Sequence, residues 1–379
     1  MRMRPFIALA MLLMLAPCCS QIEPQQSALN IYVRIPAADG TKADAEVPPE
    51  LAEEARIHNL KIWVFVSNTV GTTPGGTLID YISPSQYAYA TSGSENKFTV
   101  MLAEDLAKED DLKVDVYVLA NAASVGLAGL DRTTTRDQLD ALVMSGAVFG
   151  IGDGGAPACT DASANGLPYT AVGKQLAISG SYPVFSVASV QLVRAVSKFR
   201  FVFSQLKDSD QGTAEGEKAV SFAVTDLRLY AGIAEEEYLF NATANPYSLN
   251  GYVASDIVFP SLPTSETVAS CTNPAQYAYA GQTAAAYQTL ILDGEVQGEL
   301  TPWGRCYLRE TDRKLRGRIS YTLTDRAGDH PGSVEFEMDS AGDFVRNRSW
   351  IVYVYFDRDA IRLSASLAPW GDGGTTLLN

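Results

Sequence analysis

Short segments in which apolar and polar residues alternate recur along most of this chain. Alternation with a period of two is typical of β-strands that bury one face, and turn residues separate the segments. Many short strands of this kind favour β-sandwiches over a parallel sheet covered by helices. We therefore predict an all-β fold, with strands at residues 29–35, 60–66, 97–102, 112–119, 175–178, 190–203, 220–230, 287–292, 318–324, 350–356 and 361–367.

The strands fall into two groups, and a length of 379 residues suits two domains. We predict a signal peptide at 1–18, a first strand with its connector at 19–59, and two β-sandwiches at 60–196 and 197–379.

One segment, TTTRDQLDALVMSG, breaks the strand pattern. Thr134 is expected to cap a short helix, with Asp137 at the third position. Leu139, Leu142 and Val143 would form its apolar stripe.

The first strand, LNIYVRI, stands apart from the others. A long polar segment, PAADGTKADAEVPPE, follows it directly. Its alternation places four side chains on one apolar face, namely Leu29, Ile31, Val33 and Ile35. A strand suited to the core is therefore joined to the rest of the chain by a polar segment that a protease could cut.

The N-terminus, MRMRPFIALAMLLMLAPCCS, has two arginines before an apolar run too short to span a bilayer. Its end resembles a bacterial lipobox, in which a cysteine becomes the lipidated first residue. Pro17 favours Cys19 over Cys18 as that residue, and ordinary secretion is the alternative. We expect a lipid to anchor the exported protein in the outer membrane.

The chain carries 29 basic and 44 acidic residues, a net charge of −15. An acidic surface repels the phosphates of nucleic acids and of anionic lipids, so we expect no nucleic acid partner. Cys159, Cys271 and Cys306 are too few and too widely spaced for a disulfide framework or a zinc site, which leaves one disulfide or none.

Motifs that carry chemistry are weak in this sequence. GIGDGG, residues 150–155, lacks the strand before it and the helix after it that a dinucleotide site needs. His58 and His330 have no nucleophile at a useful spacing, and the acids at 235–237 and 357–359 are expected in turns. We expect no catalytic residue, metal site or cofactor, and an enzyme is the weakest alternative.

Several segments, taken in order, resemble the fimbrillins, the FimA-like and related subunits of type V pili in Gram-negative bacteria. After the lipoprotein signal and LNIYVRI come HNLKIWVFVSN and LKVDVYVLANA, with the family's Ala-Asn strand ending. VQLVRAVSKFRFVFS resembles the central segment, with Arg194 and Lys198 among apolar residues. FVRNRSWIVYVYF and LSASLAPW resemble the C-terminal strand pair.

This resemblance implies two transthyretin-like β-sandwiches and a structural role in a surface fimbria that serves adhesion. In the family a trypsin-like or arginine-specific protease removes the first strand, and a strand from another subunit fills the groove. Here the cut would fall at Lys42 and Ala43. The donor strand would come from the C-terminal region, either from residues 375–379 or from the segment with Ile361, Leu363, Ala365 and Leu367.

The connector differs from the family in offering Lys42 where arginine is usual. One alternative is therefore an anchor or accessory subunit that keeps its first strand and lipid. Another is a monomeric lipoprotein that binds surface glycans or proteins through tyrosines of the two QYAYA segments, residues 86–90 and 276–280. The expected partners are otherwise fimbrial subunits, of this chain or related ones.

Overall fold

The computed structural model of the chain describes residues 26–34, 54, 56–84, 95–145, 149–150, 160–161, 165–180, 182–205, 221–230, 232, 234–240, 252, 254–259, 262, 264, 301–311, 313–325, 327–338, 346–356 and 361–369. This part of the chain is all-β, as predicted. Its strands are β1 (Ala28–Arg34), β2 (Leu60–Val66), β3 (Leu78–Ile82), β4 (Glu95–Met101), β5 (Lys113–Ala120), β6 (Val143–Ser145), β7 (Phe149–Gly150), β8 (Thr160–Asp161), β9 (Tyr169–Ala177), β10 (Phe185–Gln191), β11 (Val193–Arg194), β12 (Ser197–Gln205), β13 (Ser221–Leu229), β14 (Glu236–Tyr238), β15 (Ile257–Val258), β16 (Thr301–Leu308), β17 (Leu315–Thr324), β18 (Asp329–Met338), β19 (Arg348–Phe356) and β20 (Ile361–Pro369).

Helical structure in the described ranges is short. It comprises α1 (Glu104–Ala107), α2 (Arg136–Asp140) and a 3-10 turn at Ala122–Val125. None of these helices is long and apolar enough to cross a bilayer.

The first sandwich pairs a three-stranded sheet, in the order β10-β1-β4, with a five-stranded sheet, in the order β11-β9-β5-β2-β3. The inward side chains of both sheets form one continuous apolar core. Such burial of two facing sheets is the main source of stability in a β-sandwich.

Strand β2 is buried on both faces, whereas its alternation predicts one exposed face. The segment 122–140 supplies the cover. Lys61 Nζ donates a hydrogen bond to the Ala128 carbonyl at 2.8 Å, and Trp63 Nε1 donates one to the Asp131 carbonyl at 2.8 Å. The polar ends of the outer side chains thus reach acceptors while their apolar parts pack beneath the loop.

The second sandwich pairs a six-stranded sheet, in the order β20-β19-β12-β16-β7-β8, with a four-stranded sheet, in the order β15-β13-β17-β18. Its separate core centres on the phenylalanines of β12, Phe199, Phe201 and Phe203, none of which is exposed. Phe201 makes edge-to-face contacts with Phe259 and Phe336, at centroid distances of 5.6 and 5.7 Å. The predicted residue limits of the domains stay a prediction.

The prediction of one strand over 190–203 is wrong. Strand β10 ends at Gln191 and β12 begins at Ser197, with the two-residue β11 between them. The break is necessary because the chain leaves a sheet of the first sandwich here and enters a sheet of the second. The predicted strand at 287–292 lies outside the described residues.

The predicted helix exists, but its cap is Thr135 and not Thr134. Thr135 Oγ1 accepts a hydrogen bond from the Gln138 backbone N–H at 3.2 Å, and Gln138 Oε1 accepts one from the Thr135 N–H at 2.8 Å. This reciprocal pair is a capping box. Leu139 is buried as predicted, whereas Val143 belongs to β6.

Candidate functional site

Strand β1 occupies the middle of the three-stranded sheet. It runs parallel to β10, with Ala28 opposite Phe185, and antiparallel to β4, with Ala28 opposite Met101. Both registers continue without a bulge to Arg34. A strand in this position has backbone hydrogen bonds on both edges, so its removal would leave two open strand edges.

The inward face of β1 is completely buried. Leu29, Ile31 and Val33 have no exposed surface. At about 1.5–3 kcal/mol for each fully buried side chain, their burial contributes roughly 5–9 kcal/mol. The three predicted core residues are therefore confirmed as buried, and the fourth, Ile35, lies outside the described residues.

The space that β1 fills is here named the β1 groove. Its walls are the inward residues of the two neighbouring strands, which form three rows across the sheet. The rows are Ser186–Leu29–Val100, Ala188–Ile31–Phe98 and Val190–Val33–Asn96, each written from β10 through β1 to β4.

The polar contacts on the outward face of β1 are ones that water can replace. Thr99 Oγ1 donates a hydrogen bond to Asn30 Oδ1 at 2.9 Å, and Arg34 lies 3.3 Å from Glu95 in a solvent-exposed ion pair. Such an exposed pair contributes about 0–1 kcal/mol. The groove therefore holds β1 mainly through the three buried side chains and the backbone ladders.

The first end of β1 is fixed by Ser27, which is buried. Its Oγ accepts a hydrogen bond from the Val184 N–H at 2.9 Å, and its carbonyl accepts one from the Leu102 N–H at 3.0 Å. At the other end, the Arg34 carbonyl accepts a hydrogen bond from the Leu192 N–H at 2.9 Å. The backbone hydrogen bonds of β1 thus extend from Ser27 to Arg34.

The connector beyond β1 lies outside the described residues until Glu54, where the chain is held firmly. Glu54 and Lys198 are both fully buried, and Lys198 Nζ lies 2.7 Å from Glu54 Oε1. The Tyr307 hydroxyl donates to the same oxygen at 2.6 Å, and the Tyr169 hydroxyl donates to the Glu54 carbonyl. The far end of the connector is therefore anchored in the core.

Lys198 and Arg194 stand out in the sequence as charged residues in an apolar segment, but the sequence does not predict their contacts. Arg194 is fully buried and its guanidinium lies 5.3 Å from the centre of the Tyr169 ring. Lys198 holds Glu54, a residue that no sequence pattern singled out. Pairing between residues far apart in the chain is not visible from local periodicity.

The candidate donor strand, β20, lies at the edge of the six-stranded sheet and is the last described strand. Among the described strands it pairs with β19 alone, from Ile361 opposite Phe356 to Pro369 opposite Arg348. Leu363 is half-buried against the second core. Residues 375–379 lie outside the described residues, as do the predicted lipidation and processing residues Cys18, Cys19, Lys42 and Ala43.

Cys306 is buried, and Cys159 and Cys271 lie outside the described residues. Both QYAYA segments lie outside them as well. The predictions that involve these segments stay predictions.

The described residues hold no cluster of three or more metal-ligating side chains. Partial burial, and then the charge of Arg56, lower the pKa of His58. His330 Nε2 lies 3.0 Å from Asp325, whose pKa it lowers by hydrogen bonding. Neither histidine adjoins a nucleophile in the contacts of the described chain.

The prediction that the acids at 235–237 lie in a turn is wrong for the last two of them. Glu236 and Glu237 are in β14, and Glu237 is fully buried. Arg346 Nη2 lies 2.5 Å from Glu237 Oε1 and 3.1 Å from Glu310 Oε2. Burial, and then the negative charge of Glu310, raise the pKa of Glu237 well above its usual range. Two buried carboxyls thus share one guanidinium.

Solved structures of bacterial proteins resemble this chain. A candidate cell adhesion protein from Parabacteroides distasonis has a TM-score of 0.51 at 14% identity, over 92% of this chain and 98% of that protein. One from Bacteroides eggerthii has a TM-score of 0.46 at 13% identity, over 92% and 97%. The tip fimbrial protein Mfa3 from Porphyromonas gingivalis, with a C-terminal truncation, has a TM-score of 0.47 at 14% identity, over 90% and 100%.

No protein-family model matches the chain, and no curated protein matches it. The likeness to the Parabacteroides distasonis protein shows the fold, which confirms the predicted resemblance at that level. At 14% identity it carries the fold alone.

Proposed function

We propose that this chain is a structural subunit of a surface fimbria, exported as a lipoprotein and assembled by strand exchange, and that the fimbria serves cell adhesion. One observation carries the proposal. A short strand with a fully buried apolar face lies between two other strands, and a long polar connector joins it to the rest of the chain.

Cutting the connector would turn β1 into a separate segment held without a covalent bond. Its loss would expose the apolar walls of the β1 groove and the backbone edges of β4 and β10. Exposed edges of this kind pair readily with another strand. A strand from a second subunit would recover the roughly 5–9 kcal/mol of side-chain burial together with both ladders.

Strand β20 is the better described candidate for the donor. Apolar residues recur at every second position in it, with the same spacing as in β1. Because β20 is an edge strand, its withdrawal would break one ladder, that with β19. The tail at 375–379 is the other candidate.

The arginines on either side of the connector are poor places for a cut. Arg34 is paired on both sides, and a protease must bind an unpaired extended backbone. Arg56 is tied down because its carbonyl accepts a hydrogen bond from Asn121 Nδ2 at 2.8 Å. Lys42 is a basic residue between these two positions, so we propose processing at Lys42 and Ala43. A protease strict for arginine would leave the strand in place, as in the anchor-type alternative.

A disulfide that pins β1 tests the proposal. Asn30→Cys together with Thr99→Cys replaces side chains that touch across β1 and β4. A specific protease site inserted in the connector then allows a controlled cut. We expect the cut, reduced protein to release β1 and form a ladder of polymers, and the cut, oxidised protein to stay monomeric.

The uncut protein with the same cysteine pair is the control, and it should be monomeric in both redox states. Polymers that form equally well with the disulfide intact would contradict the proposal, because assembly would then not involve the β1 groove. Retention of β1 by the cut, reduced protein without any polymer would also contradict it.

A further inference from the structure

The third row of the β1 groove contains a polar group that its resident strand leaves unsatisfied. Asn96 faces the core from β4, directly opposite Val33. Its Nδ2 atom is buried and has no hydrogen-bond partner within the described structure. The other neighbour of Val33 in the row is the apolar Val190.

The first two rows are different because their walls are small or apolar. Ser186 and Val100 flank Leu29, and Ala188 and Phe98 flank Ile31. These rows suit aliphatic side chains. In the third row the wall on β10 is apolar and the wall on β4 carries an amide. An aliphatic side chain between them packs against the apolar wall but cannot accept a hydrogen bond from the amide.

We infer that Asn96 is a specificity-determining residue for the strand exchanged into the β1 groove. The groove favours a strand with two aliphatic side chains and then, at the position of Val33, a side chain that accepts a hydrogen bond, such as threonine, serine or asparagine. Directly opposed side chains of antiparallel strands lie close enough for this contact. The inference rests on the proposed strand exchange. The apolar face of β20 lacks this acceptor, so the groove would favour a donor that carries it over β20.

Asn96 also makes β1 a weaker occupant than the groove allows. A buried donor without an acceptor costs free energy, and a strand that supplies the acceptor removes that cost. A replacing strand of this chemistry therefore has an advantage over β1 even with equal apolar burial. Strand β1 thus completes the folded subunit but is easier to displace than a strand that supplies the acceptor.

The contact is tested in the uncut full chain by a double-mutant cycle, which does not depend on exchange. The variants are Val33→Thr, Asn96→Leu and the pair. Threonine matches valine in shape, and leucine is an apolar side chain with the same branching as asparagine, although it is larger. We expect Val33→Thr to be better tolerated with Asn96 than with leucine, by about tenfold in the unfolding equilibrium constant, or about 1.4 kcal/mol.

Val100→Thr is the matched control. Val100 is a buried valine in β4, the strand of Asn96, and it lies opposite Leu29 and not opposite Val33. Its effect should be the same in both backgrounds. An equal effect of Val33→Thr in the two backgrounds would overturn the inference, whatever the result of the exchange experiment.

Exchange is measured separately, with the connector cut and labelled peptides ALNIYVR and ALNIYTR in competition. We expect the threonine peptide to be favoured by about tenfold, and the order to reverse with Asn96→Leu. Equal capture of the two peptides would overturn the inference while leaving strand exchange intact. If neither peptide replaces β1, the proposed function fails and the cycle alone decides the role of Asn96.

Discussion

Lys198 Nζ lies 2.7 Å from Glu54 Oε1, and neither side chain has any exposed surface. Glu54 is the first described residue after the connector, whereas Lys198 belongs to β12 of the second sandwich. This ion pair therefore fastens the end of the connector to the body of the protein. It would hold the new N-terminal segment in place after a cut.

Removing one partner of this pair should destabilise the chain strongly. Lys198→Met leaves a buried carboxylate without its cation, which costs about 3–5 kcal/mol. Adding Glu54→Gln should recover a large part of that loss. Urea denaturation of the three proteins measures both effects.

Lys314→Met is the matched control. Lys314 lies 2.6 Å from Glu337, but the two side chains are 51% and 39% exposed, so the loss should stay below about 1 kcal/mol. Equal losses of unfolding free energy in the two lysine variants would show that burial does not strengthen the Glu54–Lys198 pair.

The Glu237–Glu310–Arg346 cluster should make stability depend on pH. The pKa of Glu237 is raised in the folded state, by burial first and then by Glu310. Its contribution to stability is therefore complete below the ordinary glutamate pKa of 4.5 and is lost as pH rises through the folded value. We expect the unfolding free energy to fall with rising pH, measured by denaturation between about pH 5 and pH 9.

Glu237→Gln should flatten this pH dependence because the glutamine side chain does not titrate. Glu235→Gln changes an exposed neighbour and should leave the slope as it is. The same slope in the Glu237 variant and the parent would assign the pH dependence to other groups.

Asn121, the asparagine of the Ala-Asn ending of β5, has a structural role. Its φ is 57°, in the left-handed region. Its Oδ1 accepts a hydrogen bond from the His58 N–H at 2.7 Å, and its Nδ2 donates to the carbonyls of Arg56 and Leu167 at 2.8 and 2.7 Å. The residue thus joins the start of β2, the end of β5 and the approach to β9.

Two substitutions separate the roles of Asn121. Asn121→Gly keeps the left-handed backbone but loses three hydrogen bonds, and should cost about 1–3 kcal/mol. Asn121→Ala also strains the backbone and should cost about 1 kcal/mol more. Thermal or urea unfolding would rank them, and an alanine variant as stable as the glycine variant would contradict the backbone argument.

Alternation was a reliable guide to strands with one buried face. Strand β2 was predicted at its observed limits, and β1, β5, β13 and β19 within a residue or two. The longer strands β3, β16 and β18 were missed, as were the two- and three-residue strands β6, β7, β8, β14 and β15. Prolines and glycines weaken the pattern in β16 and β18, which contain Pro302 and Pro331, and β3 is short and half-buried throughout.

The candidate site was only partly visible in the sequence. The alternation of Leu29, Ile31 and Val33 identified the buried face of β1. Its neighbours could not be identified, because the contact between Ser27 and Val184 spans 157 residues. Local periodicity carries no information about such pairing, and the same limit hid the Glu54–Lys198 pair and the position of Asn96 opposite Val33.

The mature N-terminus of the protein taken from the surface of its own cells tests the central claim most directly. Mass spectrometry of that material identifies both the first residue and any attached lipid. Removal of β1 predicts a chain that begins near Ala43 and carries no lipid. A lipidated Cys19 or Cys18 still joined to LNIYVRI in all of the surface protein would contradict strand removal and leave the anchor-type subunit.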